Sequence, residues 1–136
     1  MSQHSTDTVR MFLNGGGMRG GNVHHHIEGI AQFAGEVRTA PKYQFYSVRD
    51  EFPGIYLVGD GGHAIAGELY ELPLGVLRDG LLPAEPAELE LSIIELENGS
   101  ASLSMVMRET ELKAPGVVDI SEHGAWRAYK ESLAGQ

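Results

Sequence analysis

Three groups of residues in this sequence have the chemistry to bind or transform a small molecule. Asn14-Gly15-Gly16-Gly17-Met18 follows an apolar run, and glycines let a backbone close on a ligand and turn several N–H groups towards one point. Such a loop suits carboxylate or phosphate oxygens. It is not a phosphate loop, because no Gly-Lys-Ser or Gly-Lys-Thr follows, and a plain glycine-rich turn fits the same residues. Glu85 stands between Pro83 and Pro86 in a stiff segment. Held at a pocket mouth, with its pKa raised by burial, it would shuttle a proton; on the surface it is an ordinary loop glutamate. Glu68 shares a strand face with Tyr70. If that face points into a barrel, Glu68 is a buried acid that needs a partner or a role; if the face is solvated, it needs neither.

Other chemistries are poorly supplied. His24-His25-His26 invites a metal reading, but sequence neighbours rarely point the same way and zinc needs its ligands on one side. No cysteine is present, which removes thiolate ligands, disulfides and a cysteine nucleophile together. No Gly-x-Ser-x-Gly elbow presents a serine. The expectation is therefore no metal and no cofactor.

The elements that must hold these groups are mostly strands. Val9 to Leu13 reads as a buried first strand closed by Asn14 and the glycines. Residues 22–28 fit a helical turn. Ile30 to Thr39, Tyr43 to Val48 and His63 to Leu72 read as strands, with Asp60-Gly61-Gly62 as a turn. Pro73 opens a short helix carrying Leu74, Val76, Leu77 and Leu81, which Gly80 can end. Leu89–Leu96 and Ala101–Arg108 form a hairpin about Glu97-Asn98-Gly99. Residues 109–119 are a loop, and Ser121 is an N-cap for a last helix holding Trp126, Tyr129 and Leu133. The pattern is α+β: a small mixed, mostly antiparallel β-barrel or strongly curved sheet, with a short internal helix and a C-terminal helix.

Composition bounds the partners. The 136 residues suit one domain, read as residues 9–136 behind a frayed stretch at 1–8. Ten Lys and Arg among nineteen acids, a net charge of −9, give no concentrated basic surface for nucleic acid. Neither a signal peptide nor a membrane span is legible, and the lack of cysteine fits a reducing compartment, so a soluble cytoplasmic protein is expected.

Read in order, the motifs resemble the γ-glutamylcyclotransferase-like family. That family places a Tyr-Gly-Ser-type loop after strand one and a catalytic glutamate in a Leu-Asp-x-x-Glu-Gly segment, after a Gly-x-Val-Tyr strand and a short helix. Here Asn14-Gly15-Gly16 stands at the loop, Gly67-Glu68-Leu69-Tyr70 at the strand and Leu81 to Pro86 at the glutamate segment, so that Glu85 falls on the catalytic position. Asn14 replaces the usual tyrosine and Pro86 the glycine after the acid. A closer resemblance is to the allophanate hydrolase C-terminal domain, carried by Thr39 to Tyr46, by Gly67 to Tyr70 and by Asp119-Ile120-Ser121-Glu122-His123-Gly124-Ala125-Trp126-Arg127-Ala128-Tyr129, similar to that domain's Asp-Ile-Thr-x-x-Gly-Gly-Trp-Arg-x-Tyr. That resemblance implies a domain that follows an amidase and processes its carboxylated product, releasing carbon dioxide. Gly17 stands where that domain has a functional histidine, for which His24 is a nearby substitute.

Two functions are expected from these residues and resemblances. In the first, the chain is an enzyme on a carboxylated amide, ureido or γ-glutamyl compound, with Glu85 as acid/base and Glu68 as runner-up. Its ligand-binding residues are then Asn14, Gly15, Gly16, Gly17, Met18, Arg19, Tyr43 and Tyr46. In the second it is a freestanding, non-catalytic module that pairs with a separate amidase or with itself as a homodimer, anchored by its aromatic C-terminal segment.

Overall fold

A computed structural model describes residues 7–15, 18, 19, 21 and 24–135. Eight strands form one mixed sheet: β1 (Thr8–Leu13), β2 (Gln32–Arg38), β3 (Tyr43–Val48), β4 (Phe52–Leu57), β5 (Ala66–Pro73), β6 (Leu89–Glu95), β7 (Ala101–Met107) and β8 (Val117–Asp119). Their order is β2-β5-β1-β7-β4-β3-β8, with β6 also paired to β7. The sheet curls into a half-barrel, open between β2 and β8. Pairing is mostly antiparallel, as expected, but β7 runs parallel to both β1 and β4. Those two strands share one edge of β7: Met11 and Phe12 pair with Leu103 and Ser104, and Ile55 with Val106. A seam therefore opens where β1 ends and β4 begins.

Both faces of the central strands are covered. Met11, Leu13, Tyr70 and Leu72 point one way, beneath Met18, Ile27, Leu77 and Leu81. Phe12 and Leu69 point the other way, onto Phe45, Ile55, Ile65 and Tyr129. β1 and β5 approach so closely that a Cβ at Gly67 would lie 2.5 Å from the Leu13 carbonyl oxygen, so only glycine fits there.

The helical region between β5 and β6 is longer than expected. After Pro73, α1 (Leu74–Val76) passes into a π-turn (Leu77–Leu81) and then α2 (Leu82–Ala84). Gly80 does not end it but lies inside the π-turn, where the wider register keeps both Leu77 and Leu81 buried. Pro86 ends it, because a residue before proline avoids the helical region; Glu85 is extended, at φ −79° and ψ 148°. Ser121 caps no long helix. It opens a one-turn 3₁₀ segment, Ser121–His123, accepting the Phe45 N–H and donating to Asp119, while α3 (Trp126–Ala134) starts after Ala125. The loop expected at 109–119 contains β8, which pairs with β3. α3 is tied to the β3–β4 turn, where the Tyr129 hydroxyl donates to Asp50 and Lys130 to the Asp50 carbonyl.

Candidate functional site

The seam between β1 and β4 is where the glycine loop leaves the sheet. Gly15 is buried against β4: a Cβ there would lie 2.5 Å from Cδ and 2.8 Å from Cγ of Pro53. The loop then turns, the Met18 N–H donating to the Gly15 carbonyl at 3.0 Å, and Met18 buries its side chain beside Leu13 and Tyr70. Gly16 and Gly17 lie outside the described residues. Asn14 is distinctive, since its Nδ2 is buried with no hydrogen-bond partner, the only such side-chain atom among the described residues. An orphaned buried amide is a donor awaiting an acceptor.

Glu85 comes to the same seam from the end of α2. It lines a small cavity of about 30 Å³ with Asn14, Gly15, Phe12, Phe52 and Leu89. Burial among these apolar side chains pushes its carboxyl up to about 7, and nothing among the described residues stabilises its charge. A carboxyl that is half-ionised near neutrality can both take and give a proton.

Glu68 has the opposite environment. It is 1% exposed. Oε1 accepts the Arg19 backbone N–H at 2.9 Å and the Tyr70 hydroxyl at 2.8 Å, and Oε2 accepts Arg19 Nε at 3.1 Å. Arg127 adds two longer contacts at 3.4 Å and also donates to the Arg19 carbonyl. Burial pushes the Glu68 pKa up, but these donors outweigh it and the net shift is downward. The Tyr70 hydroxyl is correspondingly pushed up, by burial and by its bond to Glu68. Glu36 stands directly opposite Glu68 across β2 and β5. Two facing carboxylates repel, and Arg19 relieves this by bridging both while lying 4.3 Å from the Phe33 ring centroid. Glu68 thus holds the loop's exit, β5 and α3 together.

Glu68 also borders a second, larger cavity of about 450 Å³, which Met18, Trp126 and Arg127 share and Glu85 does not. Residues 9–131 match the allophanate hydrolase C-terminal domain. The chain belongs to that family. The urea amidolyase of Saccharomyces cerevisiae is 28% identical over 132 residues, 93% of this chain but 7% of its own length, so the domain is a small part of that protein. A uropathogenic E. coli-specific protein, c4763, is 32% identical, with a TM-score of 0.85 over 92% of this chain and 97% of its own. A γ-glutamyl cyclotransferase structure, 12% identical with a TM-score of 0.57 over 92% of this chain and 80% of its own, shares the fold.

Within this family member, the expected site residues separate. Asn14, Gly15 and Glu85 meet at the small cavity; Met18 and Glu68 line the larger one, and Arg19 clamps Glu68. Tyr43 and Tyr46 line neither: Tyr43 is a core residue whose hydroxyl accepts the Glu95 N–H, and the Tyr46 hydroxyl donates to Gln44. His24 packs its ring 5.9 Å from that of Tyr70 and lines neither cavity. Trp126 lies against both core clusters rather than standing free. Arg127 and Glu36 border the larger cavity and were not singled out from sequence; Arg127 lay within the Asp119–Tyr129 motif, whereas Glu36 carried no signal beyond its place in β2.

Proposed function

We propose that this domain is a small-molecule enzyme acting on a carboxylated amide, ureido or γ-glutamyl compound, with Glu85 as its acid/base. One observation carries the reading: a carboxyl raised to about 7 without a partner shares a cavity with the orphaned Asn14 amide. A cavity of about 30 Å³ holds a group the size of a water molecule, so it takes the reacting head of a ligand and leaves the remainder outside. Asn14 Nδ2 donates to a carboxylate or developing oxyanion, and the ionised Glu85 removes a proton from the attacking amine or water. The protonated Glu85 then returns that proton to the leaving nitrogen.

Malonate, a dicarboxylate of suitable size, tests the site before a substrate is known. Malonate titrations followed by amide NMR are expected to shift Gly15 and Glu85, to weaken as pH rises through 7 and Glu85 ionises, and to fail in Asn14→Ala. Turnover assays on ureido and γ-glutamyl amides should show Glu85→Gln lowering kcat by about 10²- to 10⁴-fold. Undiminished turnover in a folded Glu85→Gln protein would sink the assignment.

A second reading, a module that docks beside an amidase, is favoured by the domain's small share of a much larger relative. Light scattering of the chain alone and mixed with an amidase distinguishes a homodimer, a heteromeric complex and a monomer.

A further inference from the structure

The larger cavity takes no part in the Glu85 chemistry, and its walls are divided by charge. Glu36 and Arg38 are two residues apart in β2 and share a face. Glu36 lies opposite Glu68, but Arg38 lies opposite Ala66, whose methyl group offers its charge no partner. The turn after β6 brings in Glu97, whose N–H donates to the Arg38 carbonyl at 2.9 Å. The start of α3 supplies Trp126.

These charges are not equally engaged. Glu68 is saturated by Arg19, Tyr70 and Arg127. Glu36 gives one oxygen to Arg19. Arg38 and Glu97 line the same cavity, yet neither side chain has a hydrogen bond or ion pair with the other or with any other described residue. Opposite charges left unpaired across one cavity complement a ligand that carries both signs. Arg127 also lines the cavity but is turned to Glu68 and the Arg19 carbonyl, so a dicarboxylate would find one unengaged cation, Arg38, beside Glu36 and Glu97, and a simple amine would leave Arg38 unanswered. The volume, about 450 Å³, falls in the range of small-molecule pockets.

We infer that this cavity is a second ligand site, for a small zwitterion such as a free amino acid or dipeptide. Its carboxylate lies on Arg38, its ammonium on Glu97 and the free oxygen of Glu36, and its apolar part against Trp126 and Met18.

Trp126 is the chain's only tryptophan, so its emission reports the site directly. Titration with L-leucine and with glycyl-L-leucine is expected to give a saturable change for at least one of them. 4-Methylpentanoate, which lacks the ammonium, 3-methylbutylamine, which lacks the carboxylate, and malonate should give none. Arg38 and Glu97 are exposed, so Arg38→Ala and Glu97→Gln should keep the fold, checked by thermal melting, while each weakens binding about ten-fold. Glu85→Gln should leave the titration unchanged, which separates this site from the proposed reaction. Three results would each overturn the inference: no saturable change with either zwitterion up to tens of millimolar, a Trp126 response to malonate as large as that to the zwitterions and retained in Asn14→Ala, or zwitterion binding that survives Arg38→Ala.

Discussion

Glu68 is buried and Glu85 half-buried, and the protein treats the two acids in opposite ways. Around Glu68, burial is outweighed by an amide, a phenol and two guanidinium groups, and the acid stays ionised. Around Glu85, burial acts alone and holds the carboxyl near 7. The difference shows that withdrawal from water does not by itself make an acid reactive. A carboxylate whose lone pairs are all engaged is a structural tie. A carboxyl with nothing to stabilise its charge is available to exchange a proton.

The sharpest way to break this contrast is the pH dependence of stability, because the two acids contribute with opposite sign. Glu85 has a folded pKa above its ordinary 4.5, so the folded state favours the protonated form. Its contribution is fully present below 4.5 and is lost as pH rises through about 7, to a total of about 3 kcal/mol. Urea denaturation between pH 4.5 and 7.5 should therefore show Glu85→Gln gaining on the parent protein as pH rises; parallel curves would mean that Glu85 is solvated. Glu68, with a lowered pKa, stabilises above its ordinary value and loses that contribution as pH falls through its folded pKa. Glu68→Ala is expected to cost about 2–3 kcal/mol at pH 7, because it strands the buried Tyr70 hydroxyl, while the half-exposed Arg19 and Arg127 can still reach water. The loss should shrink in acid.

Smaller changes sharpen the same comparison. Gly15→Ala sets a methyl group against Pro53 and should cost about 1–2 kcal/mol while abolishing the malonate response. It leaves the Glu68 ties intact, so the Arg19 and Tyr70 NMR signals should not move. Tyr70→Phe removes one hydrogen bond to Glu68 and should cost about 1 kcal/mol in the same denaturation assay. A loss near that of Glu68→Ala would show that the phenol, not Arg19, carries the tie.

Much of this arrangement was legible in the sequence, and the gaps have physical causes. β1 announced itself as an apolar run closed by Asn14 and the glycines, β3 as an aromatic and β-branched run, β5 through alternation and the β6–β7 hairpin through the Asn98-Gly99 turn. β4 did not, because the preceding turn uses Arg49 and Asp50, both at positive φ (53° and 59°) without glycine, held by Ser47 and Tyr129. β8 was hidden because three residues are too short to show a period. The π-turn left no mark, since its extra residue shifts the helical register only once Leu77 and Leu81 are packed. Glu85 was legible through its flanking prolines. The occupation of Glu68 was not, because its partners at Arg19 and Arg127 lie 49 and 59 residues away in the chain.

The sharing of one β7 edge by β1 and β4 also governs how the molecule must be made. Arg10 and Ser102, joined by a hydroxyl-to-carbonyl hydrogen bond, are 92 residues apart. On the ribosome, β1 can take β5 on one edge early, but its other edge and Ile55 of β4 wait for β7. Pairings of such long sequence separation slow folding, because loop closure must come before they form. The Glu85 cavity, which draws on residues from Phe12 to Met105, then closes among the last parts of the molecule to form.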